Sequence, residues 1–290
     1  MQPLNVLNMR VFTTVENLKT YIKDASKISS TIGFVPTMGA LHDGHISLVN
    51  KCLNENDIVI VSVFVNPTQF NNAKDLDNYP RTLEVDIELL KKSSKNIIVF
   101  APTAKNLYKG QPESINYDFG GLENEMEGKF RPGHFDGVGT VLKFLFEAVT
   151  PTKAYFGEKD FQQLQIVRKL VKLEKFPIEI VGCEIFREAH GLAYSSRNER
   201  LTKQQRQEAK IIYETLLNVK NQFGTKSVTE LNEMVSQVFE DQELFELEYF
   251  EIANLKNLET ATYIKSHEKY RAFIAVFADD VRLIDNIALN

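Results

Sequence analysis

Two histidines three residues apart follow a short apolar segment and a glycine turn near the start of the chain. Residues 33–45 read GFVPTMGALHDGH, so His42 and His45 open what the apolar spacing predicts to be an amphipathic helix. α/β proteins bind phosphate chains where a strand and a turn lead into a helix N-terminus, because the backbone N–H groups and the helix dipole there favour anions. Imidazolium groups at that position can neutralise charge that develops on phosphate in a transition state. This context predicts chemistry on a nucleotide, whereas an isolated histidine is more commonly a surface or core residue, and no second ligand pair favours a metal.

A glycine, a lysine and an acid follow another short apolar segment. Residues 156–163 read FGEKDFQQ, and they begin a second predicted helix. Lys159 can act as a point charge on phosphate, and Asp160 can hold Mg²⁺ or orient its waters. The alternative is an ordinary charged first turn with a solvated lysine.

A small polar loop, GLAYSSRN, covers residues 191–198. Its paired hydroxyls, Ser195 and Ser196, and the Arg197 guanidinium can close over a triphosphate and replace water with fixed donors. Taken alone, the same residues are typical of a simple turn.

Neutral amides follow the second predicted strand in the segment VNPTQF, residues 65–70. Asn66 and Gln69, beside apolar walls, suit a hydroxylated organic acid, because amides bind hydroxyl and carboxylate oxygens without adding charge. Asn-Pro is also a turn initiator. Further along, Arg131 and His134 either contact a ligand or close a loop.

Alternating strands and helices must position these segments. Strands are predicted over residues 32–36, 57–65, 97–100, 154–156 and 178–181, and helices over residues 46–54, 82–92, 137–148 and 160–174. Thr82 is a predicted N-cap. The alternation predicts a Rossmann-like, doubly wound parallel sheet of the α/β class. Ligands of such sheets bind beyond the carboxyl ends of the strands, so residues 36–45, 66–70 and 157–160 should lie together.

The pattern changes after residue 185. Polar-faced helices are predicted over residues 203–220 and 227–237, the second capped by Ser227, and strands over residues 245–252, 270–277 and 281–287. We therefore predict two domains: residues 1–185 form the Rossmann-like catalytic domain, and residues 186–290 form a smaller α+β lid that carries the Ser-Ser-Arg-Asn loop.

The composition excludes several classes of protein. The chain has 290 residues, 43% of them hydrophobic and 25% charged, with a net charge of −5 at pH 7. It lacks the basic field that nucleic acid requires. Its longest apolar stretches are strand-length, and residues 1–10 lack the pattern of a secretory signal, so we expect a cytoplasmic protein that does not enter a membrane. Cys52 and Cys183 lack CxxC spacing, which favours two buried thiols over a disulfide or a zinc site.

Taken together, these segments resemble the pantoate–β-alanine ligase family of the nucleotidyltransferase superfamily. The matching motifs, in family order, are PTMGALHxGH at 36–45, FVNPxQF at 64–70, YPR at 79–81, RPGHF at 131–135, FGEKD at 156–160 with Gln163, SSRN at 195–198 and RLIDN at 282–286. The resemblance implies a Mg²⁺-dependent, two-step reaction on ATP, in which an acyl adenylate forms from pantoate and then reacts with the amine of β-alanine.

The resemblance also implies roles for individual residues. The catalytic groups would be His45 as proton donor, His42 and Lys159 on the phosphates, and Arg197 in a mobile loop. The residues implied to bind ATP are Pro36, Thr37, Met38, Gly39, Ala40, Leu41, His42, Asp43, Gly44, His45, Gly157, Glu158, Lys159, Asp160, Phe186, Tyr194, Ser195, Ser196 and Arg197. Asn66, Gln69 and Gln163 would bind pantoate, with Gln69 also near β-alanine. A homodimer is implied as well.

Three residues depart from the family pattern. Phe186 stands where a small β-branched residue is usual, His190 where Asp is usual, and Tyr194 where Met, Leu or Lys precedes the serines. These departures concern the adenine pocket and the loop rather than the chemistry. Two other functions stay open, a different HxGH nucleotidyltransferase and a nucleotide-binding module without turnover. The amides Gln69 and Gln163 argue against the former, because a phosphorylated acceptor calls for cations.

Overall fold

The computed structural model describes residues 4–6, 9–25, 30–70, 76–77, 79–240 and 242–290. The chain divides into two compact units. The first comprises Met1–Glu158 and Gln162–Glu184, and the second comprises Lys159–Phe161 and Ile185–Asn290. Residues Lys159–Phe161, which the sequence division assigned to the first domain, thus group with the second unit.

The first unit is built on a seven-stranded sheet. Its strands are β1 (Leu4–Val6), β2 (Met9–Phe12), β3 (Ile32–Thr37), β4 (Ile58–Val63), β5 (Ile98–Phe100), β6 (Lys153–Gly157) and β7 (Glu179–Cys183). They lie in the order β1-β2-β5-β4-β3-β6-β7, and all pairs are parallel except the edge pair β1 and β2. The strand order reverses between β3 and β6, which is where α/β sheets bind ligands. The predicted Rossmann-like parallel sheet is confirmed.

Helices cover both faces of this sheet. They are α1 (Val15–Ala25), α2 (Asp43–Glu55), α3 (Leu83–Ser93), α4 (Ala104–Tyr108), α5 (Met126–Phe130), α6 (His134–Val149) and α7 (Phe161–Leu173). Val35 of β3 joins a buried cluster with residues of α2 and α3. The neighbouring Phe34 faces the other way and meets Phe146 of α6, with ring centroids 6.2 Å apart. Because successive side chains of β3 are buried on opposite faces, the strand needs a continuous apolar run.

The two cysteines are buried in this unit, as predicted. Burial raises the pKa of Cys52 to about 12 and that of Cys183 to about 11. Both are therefore neutral thiols at physiological pH.

Several boundaries differ from the predictions. Helix α6 begins at His134, three residues before the predicted start, because Gly133 enters it with a φ of 76° that favours glycine. Thr82 does precede α3, but its hydroxyl makes no capping bond and donates instead to Asp86, 3.4 Å away. The elements before residue 30 were not predicted, and of the residues in α1 only Leu18 and Ile22 are buried.

The second unit packs helices on a three-stranded antiparallel sheet. Its elements are α8 (Lys203–Glu208), α9 (Lys210–Gln222), α10 (Val228–Glu240), β8 (Glu246–Asn254), β9 (Tyr270–Ala278) and β10 (Val281–Ala288). The strand order is β10-β9-β8. Leu216 of α9, Leu231 of α10 and Ile274 of β9 lie in one buried cluster. The predicted smaller α+β fold is confirmed, and Ser227 caps α10 by accepting from the Glu230 N–H at 3.2 Å.

The prediction of a single helix over residues 203–220 is wrong, because the structure has two helices, α8 and α9, that meet at Ala209. At the end of α8 the Arg206 carbonyl accepts a hydrogen bond from His190 Nε2 at 2.9 Å. The buried Gln205 side chain donates to Asp279 at 2.7 Å. These tertiary bonds fix the short helix independently of α9. In the described part of the chain, no helix is both long and apolar enough to cross a membrane.

Candidate active site

The turn between β3 and α2 is shaped by two left-handed residues and one buried carboxylate. Gly39 has a φ of 86° and Ala40 a φ of 49°. The N–H groups of Ala40 and Leu41 donate to the two carboxylate oxygens of Asp86 in α3, at 3.1 and 2.8 Å. Asp86 is 1% exposed, and burial raises its pKa while these two donors oppose the rise. Asp86 therefore fixes the backbone that is predicted to bind ATP.

Thr37 anchors the start of the same loop. Its hydroxyl donates to the Ser62 carbonyl at 2.6 Å and accepts from the Gly39 N–H at 3.2 Å. A Cβ atom at Gly39 would lie 3.0 Å from Val63 and 3.1 Å from Asp86, so the site admits only glycine without adjustment. The predicted ligand residues divide between Pro36 and Thr37 in β3, Met38, Gly39, Ala40 and Leu41 in the loop, His42 at the helix cap, and Asp43, Gly44 and His45 in α2.

The two histidines cap α2 with their own rings. His42 Nδ1 accepts from the Gly44 N–H at 3.1 Å, and His45 Nδ1 accepts from the His42 N–H at 3.4 Å. The ring centroids are 4.1 Å apart. Because Nδ1 accepts a hydrogen bond in each ring, the proton of each neutral imidazole lies on Nε2. Both rings therefore present Nε2–H as a donor at a helix N-terminus, where the dipole favours anions.

A short 3₁₀ turn, Pro67–Gln69, follows β4 and is capped by Asn66. Asn66 is 1% exposed, and its amide nitrogen donates to the Gln69 side-chain oxygen and the Gly137 carbonyl, each at 3.1 Å. Gln69 Nε2 in turn lies 2.9 Å from Met38 Sδ. The amide turn and the phosphate loop are therefore in contact, as predicted for the carboxyl ends of neighbouring parallel strands. Asn66 fixes Gln69 through these bonds.

Arg131 and His134 both contact the backbone of the turn at Gln69. His134 Nδ1 donates to the Gln69 carbonyl at 2.9 Å, and Arg131 Nη2 approaches the same oxygen at 3.4 Å. Of the two roles the sequence left open, these bonds support closing the loop.

Gly157 is the last residue of β6, and Glu158 follows it. Strand β6 lies parallel beside β3 and therefore ends at the same sheet edge. Two consecutive glutamines of α7 have different environments. Gln162 is 4% exposed, and its amide donates to two backbone carbonyls at 2.8 and 2.7 Å. Gln163 is half-buried, and its amide makes no hydrogen bond with any residue that the structure describes. Gln163 is therefore the one that can bind a ligand.

Lys159 and Asp160 belong to the second unit. Lys159 Nζ lies 3.9 Å from the Asp160 carboxylate, and their side chains are 17% and 53% exposed. The Lys159 carbonyl accepts a hydrogen bond from the Asn286 amide of β10 at 2.8 Å.

The Ser-Ser-Arg-Asn segment forms a capped 3₁₀ turn, Ser196–Arg200, in the same unit. The Ser195 hydroxyl accepts from the Arg197 N–H at 3.2 Å, and Ser195 and Ser196 are half-buried. Arg197 is exposed, and its guanidinium forms no ion pair with the described residues. Asn198 is buried and donates to Glu188 at 2.9 Å. Buried Asn198 thus fixes the turn and leaves Arg197 accessible to an anion.

A small hairpin over residues 186–194 leads into this turn. Arg187 pairs through both Nη atoms with Asp285 of β10, at 2.6 and 2.9 Å, and its guanidinium lies 3.7 Å from the centre of the Tyr213 ring. Phe186 and Tyr194 close the hairpin with ring centroids 5.8 Å apart, and Phe186 is 41% exposed. His190 donates into the α8 backbone. Two of the three departures from the family pattern are therefore a contacting aromatic pair, and the third has a structural partner.

The sequence assigned no role to Asp86 or Asn286, whose side chains hydrogen-bond to the backbone of the predicted phosphate loop and of Lys159. Asp86 interrupts the apolar face formed by Leu83, Ile87 and Leu90 of α3. A carboxylate on a buried helix face indicates that it has hydrogen-bond donors as partners. Asn286 is buried in β10 beside Asp285, a second buried polar residue, so it offered a similar signal.

The Rossmann-like sheet, the glycine loop at its switch point and the paired imidazoles define a nucleotidyltransferase-type enzyme. A model of the family described as pantoate-beta-alanine ligase matches residues 10–288. The chain belongs to this family. The resemblance drawn from the sequence is thereby confirmed, and the chain is a ligase that forms an amide bond.

Relatives and solved structures agree with this assignment. The chain is 56% identical to a pantothenate synthetase of Flavobacterium psychrophilum, over 97% of this chain and 100% of that protein. It is 55% identical to that of Christiangramia forsetii, with the same coverage of both. A pantothenate synthetase structure from Thermus thermophilus superposes with a TM-score of 0.87 at 38% identity, covering 97% of this chain and 99% of that one. A pantoate-beta-alanine ligase from Francisella tularensis, complexed with beta-gamma ATP and beta-alanine, gives 0.78 at 36% identity, covering 97% and 98%.

Proposed function

We propose that this chain condenses pantoate with β-alanine to give pantothenate, AMP and pyrophosphate, through an enzyme-bound pantoyl adenylate. Beyond family membership, the supporting observation is the Gln69 amide, which lies against Met38 in the phosphate loop. A neutral amide at that position suits a hydroxy acid, whereas a phosphorylated acceptor would call for a cation.

In the first step a pantoate carboxylate oxygen attacks the α-phosphorus of ATP, and the bond to the bridging oxygen breaks as pyrophosphate leaves. Positioning and charge stabilisation supply most of the catalysis in such transfers. His45 donates the Nε2 proton toward the leaving oxygen, while His42 and Lys159 offset phosphate charge. Arg197 binds the phosphates from its exposed turn.

In the second step the neutral amine of β-alanine attacks the acyl carbon, AMP departs with the electron pair of the acyl–oxygen bond, and the nitrogen loses one proton to solvent. AMP is a good leaving group, whereas oxide from a free carboxylate is not, which is why adenylation comes first. Gln69 and Gln163 keep the pantoyl group in place through both steps.

Mg²⁺ fits the donor set of the second unit. Asp160 is the half-exposed carboxylate beside Lys159. Among the residues that the structure describes, no group of three metal-ligating side chains exists. Mg²⁺ commonly binds through one or two carboxylates together with substrate phosphates. Asp160 would hold the ion, which supplies charge neutralisation on the phosphates. We also propose a homodimer, by family resemblance, a cytoplasmic location, from the sequence pattern, and a lid function for residues 186–290.

Pantoate-dependent exchange of labelled pyrophosphate into ATP tests this function. The reversible first step predicts exchange with pantoate and Mg²⁺ in the absence of β-alanine. A preparation that is folded and binds ATP but shows no exchange would contradict the proposal and favour a binding module. Exchange with a phosphorylated acceptor in place of pantoate would favour a different nucleotidyltransferase.

Gln163→Glu provides a variant that tests the proposed pantoate site. A carboxylate there repels the pantoate carboxylate, so the KM for pantoate should rise while the Kd for ATP stays the same. Gln165→Glu, two residues along the same helix, is the control and should leave both constants unchanged.

A further inference from the structure

We propose that Asn286 is a positioning residue for Lys159, acting on the adenylation step through the backbone of Lys159–Phe161. The proposal rests on the proposed function, because Lys159 matters only where phosphate is transferred. Asn286 lies in the last strand of the chain and touches no reacting atom.

The Asn286 amide is built into the sheet of the second unit. It is 2% exposed and lies opposite Phe273 in the β9–β10 register. Its Nδ2 donates to the Lys159 carbonyl at 2.8 Å, and its Oδ1 accepts from Arg271. Because β10 is paired with β9, the hydrogen bond from Asn286 fixes the backbone of Lys159 relative to this sheet.

Arg271 holds the other end of the same segment. Its guanidinium lies 3.9 Å from the centre of the Phe161 ring, and the Phe161 ring lies 6.1 Å from that of Phe273. Arg271, Phe273 and Asn286 share one face of the sheet, since paired residues of neighbouring strands point the same way. This face therefore holds both ends of Lys159–Phe161.

Only a carboxamide meets both demands at position 286. It must donate to the Lys159 carbonyl and accept from Arg271 at the same time. A carboxylate of the same shape could still accept from Arg271, but it has no N–H to donate. Asn286→Asp therefore releases the Lys159 backbone and keeps the bond to Arg271.

The matched control is Asn290→Asp, just beyond the end of the same strand. Asn290 also donates to a backbone carbonyl, that of Glu268 at 2.9 Å, and accepts from a donor, the Tyr270 N–H at 2.9 Å. Asn290→Asp therefore removes the same kind of N–H donor at a position away from Lys159.

The test is the single-turnover rate of pantoyl adenylate formation in a double-mutant cycle. Asn286→Asp should slow adenylation about 10- to 100-fold, as small misplacements of catalytic groups do, with the KM for pantoate unchanged. Asn290→Asp should leave the rate unchanged. In a Lys159→Ala background, Asn286→Asp should slow the reaction less than about threefold, because the side chain through which Asn286 acts is already absent.

Three results would overturn the inference while the unaltered protein remains active. They are an unchanged rate in Asn286→Asp, an equal loss with and without Lys159, and an equal loss in Asn290→Asp. If Asn286→Asp does not fold, Asn286→Ser, which is neutral and too short to reach the carbonyl, is measured in the same cycle. Absence of pantoate-dependent exchange in the unaltered protein would instead refute the proposed function.

Discussion

At the scale of single residues, the histidine pair owes its chemistry to the bonds its rings make with the backbone. His42 and His45 each use Nδ1 to accept from a backbone N–H at the start of α2. These bonds set the tautomer of both neutral rings, with the proton on Nε2. The same residue type at a mid-helix position would have no such constraint.

His45→Ala should slow adenylation about 100- to 10,000-fold, the range of general acid catalysis, while the Kd for ATP rises less than tenfold. The physical reason is that a proton donor acts in the transition state more than in the bound ground state. Single-turnover rates and ATP titration measure the two effects. Equal losses in both would mean that His45 serves ground-state binding only. The exposed His267→Ala is the control and should change neither quantity.

At the scale of elements, helix α6 packs closely against the turn Pro67–Gln69 because Gly137 has no side chain. A Cβ atom at Gly137 would lie 2.3 Å from the Thr68 carbonyl oxygen and 2.8 Å from the Gln69 Cα atom. The amide predicted to bind pantoate therefore owes its position to glycine in a helix that starts earlier than the sequence indicates.

Gly137→Ala should push the turn away and raise the KM for pantoate, with the Kd for ATP unchanged. Overpacking of this kind costs about 1–3 kcal/mol in the free energy of unfolding. Steady-state kinetics and urea unfolding measure the two. Gly110→Ala is the matched control, since a Cβ there meets nothing within 4 Å. Similar kinetic effects of both variants would contradict the packing argument.

The hairpin and the serine turn of the second unit are joined by Glu188. This carboxylate accepts from Arg206 Nε at 3.1 Å and from Asn198 at 2.9 Å. Burial raises the pKa of Glu188, but the bonds from Arg206 and Asn198 outweigh it and leave the pKa below its ordinary value. Because the folded pKa is below the unfolded one, the unfolded chain binds more protons in the acid range. The stabilisation is therefore complete above the unfolded pKa and is lost as pH falls through the folded pKa.

Glu188→Gln should lower the free energy of unfolding by about 1–3 kcal/mol at neutral pH, the value of hydrogen bonds to charged groups. The difference from the unaltered protein should shrink in the acid range, as pH falls below the ordinary glutamate pKa and through the lower pKa of folded Glu188. Urea unfolding across that range measures it. A difference that stays constant with pH would contradict the assignment. Glu208→Gln, an exposed carboxylate of α8, is the control.

At the scale of the whole molecule, each unit has its own apolar cluster, and the two clusters share no residue. The alternation of strands and helices before residue 185 and the antiparallel strands after it were enough to predict both folds. The helix break at Ala209 and the grouping of Lys159–Phe161 with the second unit were not predictable, since both depend on partners far along the chain. Because the net charge is negative, the proposed phosphate binding requires local cations, since the overall field does not favour an anion.

The sequence by itself determined which groups this protein has for chemistry and on which element most of them lie. Glycine spacing, apolar period and residue type are local properties, so the loop at residues 36–45 and the amide at 69 could be predicted without a structure, and the family resemblance added the amide at 163. Only the tertiary structure decided what holds them. Asp86 under the loop and Asn286 under Lys159 act through hydrogen bonds that exist only when distant segments fold together. Such bonds leave no periodic signal in the chain, because a single buried polar residue shows its partner only in space.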